Sequence, residues 1–154
     1  MTIYFFDSSA IVKRYLNEIG TNWVTNIFDP AASSEIYIAR ISGAEVVAAI
    51  TRRGITGSIS ASQVTSAVSQ FHREFVSAFQ IVEITPTLVA RAMDVAETHA
   101  LRGYGSVQLA SALEMVTLRS ALGLTGLTFV SADSELNAAA MAEGLNVDDP
   151  NAHP

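Results

Sequence analysis

The sequence predicts an α/β protein, a three-layer α/β/α sandwich around a central parallel sheet. Three observations predict it. Short apolar runs at 2–6, 81–84 and 127–130 have the length and near-continuous hydrophobicity of strands covered on both faces. Between them lie longer segments whose apolar residues recur at helical spacing, such as Val64, Ala67, Val68, Phe71, Phe75 and Phe79. The two kinds of segment alternate, and strand–helix–strand alternation implies parallel pairing through right-handed crossovers.

The elements follow in order. Residues 2–6 form the first strand and end at Asp7. Ser8 or Ser9 caps a helix reaching about Leu16. A second helix covers 20–28 and stops near Asp29-Pro30, and 35–38 form the second strand. Ser42 caps a helix through Arg53, with Glu45 at capping-box spacing; Gly54 and Gly57 end it. A helix over 60–78 leads to the strand at 81–84. Pro86 opens a helix to about Ala100 at its first turn, and Tyr104 to Arg119 forms another. The strand 127–130 ends at Ser131-Ala132-Asp133. Ser134–Ala142 is helical, Gly144 stops it, and 145–147 form a last short strand. One domain is expected over 1–148, followed by a flexible tail at 149–154.

Composition narrows the function. With 154 residues, 49% hydrophobic and 16% charged, the chain can bury a core of its own. The absence of cysteine excludes disulfides, thiolate nucleophiles and cysteine zinc sites. No apolar stretch is long enough to span a bilayer, and the amino terminus lacks the basic and apolar regions of a signal peptide. A cytoplasmic location with no membrane partner is the expectation. A net charge of −6 counts against a general nucleic-acid binder, because phosphate contacts dominate such affinity. Carboxylates that hold cations do not act as bare negative charge, however. Basic residues also cluster at Lys13-Arg14 and Arg52-Arg53, pairs equally explained as solvated helix ends.

In open α/β sheets, ligands sit beyond the carboxyl ends of the strands. Asp7 and Asp133 each stand just past such an end, so both point into the same sheet edge. Glu45 lies one turn into a helix rich in Val46, Val47, Ala49 and Ile50. An acid so close to apolar surface is costly unless paired, hydrated or metal-bound. Three converging carboxylates repel one another, and a divalent cation relieves that repulsion. Oxygen ligands favour Mg²⁺ or Mn²⁺ over zinc. Each acid also has a plainer reading: Asp7 and Asp133 as helix caps, Glu45 as the returning half of the Ser42 capping box.

Four segments resemble the motifs of PIN domains, the fold of the virulence-associated VapC toxins. They are Phe6-Asp7-Ser8-Ser9-Ala10-Ile11-Val12-Lys13-Arg14-Tyr15, Ser42-Gly43-Ala44-Glu45-Val46-Val47, Leu101-Arg102-Gly103-Tyr104-Gly105-Ser106-Val107-Gln108-Leu109-Ala110 and Phe129-Val130-Ser131-Ala132-Asp133-Ser134-Glu135-Leu136. They come in the family's order and extend over nearly the whole chain. The resemblance implies an endoribonuclease dependent on Mg²⁺ or Mn²⁺, in which Asp7, Glu45 and Asp133 match three acidic positions. It implies supporting roles for Ser9 and Ser131 beside the acids, whose plainer role is capping. It also implies an RNA substrate, a small antitoxin protein as partner, and a homodimer.

One motif position departs. Where the family usually carries Asp in its third motif, this chain has Gly105. Ser106 is adjacent but uncharged. Glu114 lies further along the same helix, roughly 13 Å away at about 1.5 Å per residue. Glu135, close to Asp133, is the best candidate for partial compensation. Three readings stand: an active nuclease with a weaker or single-metal site, a catalytically inactive PIN protein acting through RNA or antitoxin binding, and an inactivated form of a toxin. Outside the family, a protein-interaction module is the main rival, with the Val64–Phe79 stripe as its surface or simply as core. A response-regulator-like or phosphatase domain is disfavoured because Lys13 is the only lysine. A nucleotide-binding fold is disfavoured because no glycine-rich phosphate loop exists. His72, His99 and His153 are not placed beside the acids, and Arg102 is either a phosphate contact or a solvated charge.

Overall fold

The computed structural model describes residues 1–154. Five parallel strands form one sheet: β1 (Thr2–Phe6), β2 (Ser34–Ala39), β3 (Gln80–Val82), β4 (Thr128–Val130) and β5 (Asn146–Asp148), in the order β3-β2-β1-β4-β5. The helices are α1 (Ser8–Ile11), α2 (Thr21–Ile27), α3 (Ser42–Ile55), α4 (Ala61–Ser77), α5 (Pro86–His99), α6 (Gly103–Ala121) and α7 (Ser134–Ala142). The chain runs outward from β1 to β3 and then crosses back to β4 and β5. The order reverses at β1/β4, which opens a crevice at the carboxyl ends of those two central strands.

Alternation along each strand divides the core in two. Phe5 and Phe129 point to one face and stack with centroids 5.8 Å apart, packing with Leu88, Val95, Leu109 and Leu136 of α5, α6 and α7. Phe6 and Val130, the next residue on each strand, point to the other face with Ile11, Val24, Ile50 and Phe71 of α1 to α4. Two clusters separated by one sheet make the three-layer sandwich that the alternating pattern predicts. The Val64–Phe79 stripe belongs to the second cluster: Ala67, Phe71 and Phe79 are buried, and Val64, Val68 and Phe75 pack against them. Core packing therefore accounts for that stripe.

Three local differences from the sequence expectation have physical causes. The first helix is shorter than expected: α1 stops at Ile11 and a 3₁₀ turn, Val12–Arg14, carries the chain on. Ser42 does not cap α3. Ile41 holds the cap position without a side-chain bond, and the Ser42 hydroxyl accepts from Gln108 instead. The capping box appears on α4, where Ser60 and Gln63 exchange bonds.

The third difference is the tail. Residues expected to be loose pack onto α2. Pro150–Ala152 form a 3₁₀ turn with Pro150 buried. The His153 ring lies flat on Trp23, with centroids 4.3 Å apart. The buried Lys13 ammonium donates to Asn151 Oδ1 at 3.0 Å and to Glu18 at 3.1 Å. Gly20, at φ +86°, lies so close that a Cβ there would meet the Pro150 carbonyl oxygen at 2.3 Å.

Candidate active site

The end of β1 delivers Asp7 to the crevice, and its backbone N–H still donates to the Val130 carbonyl at 3.0 Å. The side chain then turns back as the cap of α1. Asp7 Oδ1 accepts from the Ala10 N–H at 3.0 Å and from the Ser9 hydroxyl at 2.7 Å. Oδ2 accepts from the Ser131 hydroxyl at 3.1 Å. The residue is only 3% exposed. Burial pushes its carboxyl up to about 7; the bonds from Ser9, Ala10 and Ser131 pull the other way, and the neighbouring Glu45 charge adds to the rise.

Glu45, half-buried on the first turn of α3, is held from two sides. The Ser8 hydroxyl donates to Oε2 at 3.0 Å, and the Gln108 amide donates to Oε1 at 2.8 Å. The capping-box reading of Glu45 is thereby excluded, since neither bond goes to its own helix. Gln108 and Ser8 are members of the site that the motif resemblance does not single out. Gln108 interrupts the buried apolar run of α6, and a polar residue in such a run is the signal that could have found it.

Asp133 follows β4 on the same edge. Its backbone N–H donates to Ser131 Oγ at 3.1 Å, and the Ala132 N–H donates to Ser9 Oγ at 2.9 Å. The two loops are thus joined through Ser9 and Ser131. The Asp133 carboxylate is solvent-facing and caps α7 through Oδ1, at 3.0 Å from the Glu135 N–H and 3.1 Å from that of Leu136. The structure therefore brings Asp7 and Glu45 together, and links Asp133 to Asp7 only through its backbone N–H and the Ser131 hydroxyl, with its carboxylate turned to the cap of α7. No set of three or more Asp, Glu or His side chains is arranged to hold a cation. The donors present are all oxygens, suited to a hard cation, but the set is short of carboxylate.

Gly105, the position singled out in the third motif, offers no donor atom to that set. It sits in the first turn of α6, and a Cβ added there meets only Leu136 Cδ1, at 3.8 Å. Space for a side chain exists and is unused. Ser106 does not fill it: its hydroxyl donates to the Gly103 carbonyl at 2.6 Å. Glu114 is engaged with Arg91 at 3.1 Å, away from the acids. A cleft of about 760 Å³ runs past Gly105, lined among others by Arg102, Tyr104, Asp133 and Glu135. A second, of about 400 Å³, holds Glu45 and Arg52, with Tyr104 as the shared wall. Arg52, Arg73 and Arg102 make neither an ion pair nor a side-chain hydrogen bond, whereas Lys13, Arg14 and Arg53 are tied to Glu18 or Glu74. Two of the three free guanidiniums thus line the clefts beside the acids.

A parallel sandwich with acids at the carboxyl edge of its central strands is the arrangement of a PIN domain. The chain belongs to that family, whose profile matches residues 4–141. It is similar to Ribonuclease VapC45 and Ribonuclease VapC49 from two strains of Mycobacterium tuberculosis. Each is 31% identical over 147 residues, spanning 96% of this chain and 95% of the relative. Among solved structures, PAE2754 from Pyrobaculum aerophilum aligns over 98% of this chain and 91% of its own, with TM-score 0.62 and 18% identity. VapBC2 from Rickettsia felis, bound to a promoter DNA fragment, aligns over 96% and 98% at TM-score 0.62 and 15% identity. FitAcB from Neisseria gonorrhoeae aligns over 96% and 97% at TM-score 0.63 and 14% identity. At those identities the structural likeness carries the fold. No helix is long and apolar enough to cross a membrane.

Proposed function

We propose that this chain is an endoribonuclease of the toxin class that works with Mg²⁺ or Mn²⁺ through Asp7, Glu45 and Asp133, at a site weakened by Gly105. The observation that supports it best is Asp7. A carboxylate this deeply buried, beside a second carboxylate and with no cationic side chain bonded to it, is unfavourable as an anion. Three hydrogen bonds nonetheless fix its two oxygens in place. Such an arrangement is stable and useful when a cation sits against it.

In this reading Asp7 and Glu45 hold the cation, with Asp133 and the neighbouring Glu135 at the open side. Ser9 and Ser131 orient Asp7, and Ser8 orients Glu45. Arg52 and Arg102 meet RNA phosphates entering along the two clefts. A cation held there would lower the pKa of a coordinated water and offset negative charge on the phosphate. A small antitoxin protein covers the acidic crevice, and the chain works as a homodimer in the cytoplasm.

A second reading is favoured by Gly105 together with the absence of a three-acid cluster: a catalytically inactive PIN protein acting through RNA or antitoxin binding. Calorimetric titration with Mn²⁺ separates these from a plain interaction module. Saturable binding that disappears in Asp7→Ala supports the metal site. Identical heats for the two proteins overturn it.

A further inference from the structure

Gln108 is 1% exposed, and its two amide N–H bonds serve the acidic edge. Nε2 donates to Glu45 Oε1 at 2.8 Å and to Ser42 Oγ at 2.9 Å. The other end of the amide, Oε1, is buried and has no partner. Turning the amide over would set its oxygen against the Glu45 carboxyl group and break the bonds that Nε2 makes to Glu45 and Ser42. A buried acceptor left without a donor costs about 1–3 kcal/mol. The molecule contains two such side-chain atoms, Gln108 Oε1 and Asn137 Oδ1. Both belong to amides braced against this edge, since Asn137 Nδ2 donates to the Ser131 carbonyl at 2.8 Å.

Position gives the orphaned oxygen a meaning. Gln108 lies three residues beyond Gly105, and residues at that spacing share one face of a helix. The carbonyl oxygen of a Gln side chain is a recognised ligand for hard divalent cations. We infer that Gln108 belongs to the metal site of this chain: Nε2 holds Glu45, and Oε1 supplies a neutral oxygen donor from the helix face on which residue 105 supplies none. The inference rests on the metal-dependent reading above and adds a residue to it.

The test is Mn²⁺ titration of the full chain by calorimetry, beside circular dichroism and a thermal melt of each variant. Gln108→Met keeps the length and apolar volume but removes both functions. It is expected to bind Mn²⁺ about 10- to 100-fold more weakly than the unaltered chain. Gln108→Glu sets a second carboxylate against Glu45 and removes the donor. It is expected to restore or exceed the original affinity, which a purely structural role for Gln108 would not do. A folded Gln108→Met with unchanged affinity overturns the inference and leaves the metal site standing. If that variant fails to fold, weaker binding by folded Gln108→Glu overturns it. Binding by Gly105→Asp but not by the unaltered chain also removes Gln108 from the site while keeping the scaffold reading. No binding by either overturns both.

Discussion

Asp7 carries the sharpest consequences at the scale of single residues. Its folded carboxyl titrates near 7 against about 3.8 when exposed, so between those values the folded chain holds a proton that the unfolded chain has lost. Stability therefore falls as pH rises through this window, and the penalty is complete above it. Asp7→Asn is expected to stabilise the metal-free protein at pH 8 by on the order of 2–4 kcal/mol, and hardly at all near pH 4. Thermal melts of both proteins across that range check it, and parallel curves would contradict it. Excess Mn²⁺ is expected to raise the melting temperature of the unaltered chain and leave Asp7→Asn unmoved. The placement of Asp7 and Asp133 just past β1 and β4 is legible in the sequence because each acid closes a short apolar run. Gln108 is marked in the sequence only as a polar residue within an apolar helical run; that it bonds Glu45 of α3 is a long-range contact the local pattern does not encode.

At the scale of elements, the close crossing of α3 and α4 is set by Gly54. A Cβ there would lie 2.5 Å from Val64 Cγ2. Gly to Ala inside a helix gains about 1 kcal/mol from propensity. Overpacking a tight contact costs about 1–3 kcal/mol. The β-branched Val64 has little room to turn, so Gly54→Ala is expected to be net destabilising by about 1 kcal/mol, read from a denaturant midpoint. A higher midpoint would mean that the helices part easily. The sequence predicts a helix stop at Gly54, whereas α3 continues through it to Ile55. Composition alone cannot tell a glycine that ends a helix from one that admits a neighbour. The strands are legible because an apolar run of strand length, bounded by polar turns, is too short to form a buried helix of ordinary length. The α1 boundary is not, since Ala10, Ile11, Val12 and Leu16 suit either an α-helix or a 3₁₀ continuation.

At the scale of the whole molecule, the net charge of −6 conceals an uneven distribution. Most basic groups are neutralised by partners, while Arg52 and Arg102 stand free at the clefts. Arg102→Ala is expected to weaken RNA binding and lower the salt slope of log Kd by about 1, the signature of one lost phosphate contact. An unchanged slope would return Arg102 to a solvated charge. The docked tail closes the far side of α2. Removing residues 150–154 is expected to shift Trp23 emission to the red and lower the melting temperature, because it uncovers the indole and leaves Lys13 with one fewer acceptor. That docking is not legible because Trp23, Lys13 and the tail are far apart in sequence. The proposed metal-dependent ribonuclease site, with Gly105 in place of a carboxylate, makes a simple demand: supplying a carboxylate there must strengthen the chemistry. Single-stranded RNA cleavage with Mn²⁺, comparing the unaltered chain with Gly105→Asp, puts that demand to the test. Gly105→Asp is expected to cleave orders of magnitude faster, and chelator or Asp7→Ala is expected to abolish the cleavage. Inactivity of both proteins, or cleavage that survives either treatment, would contradict such a site.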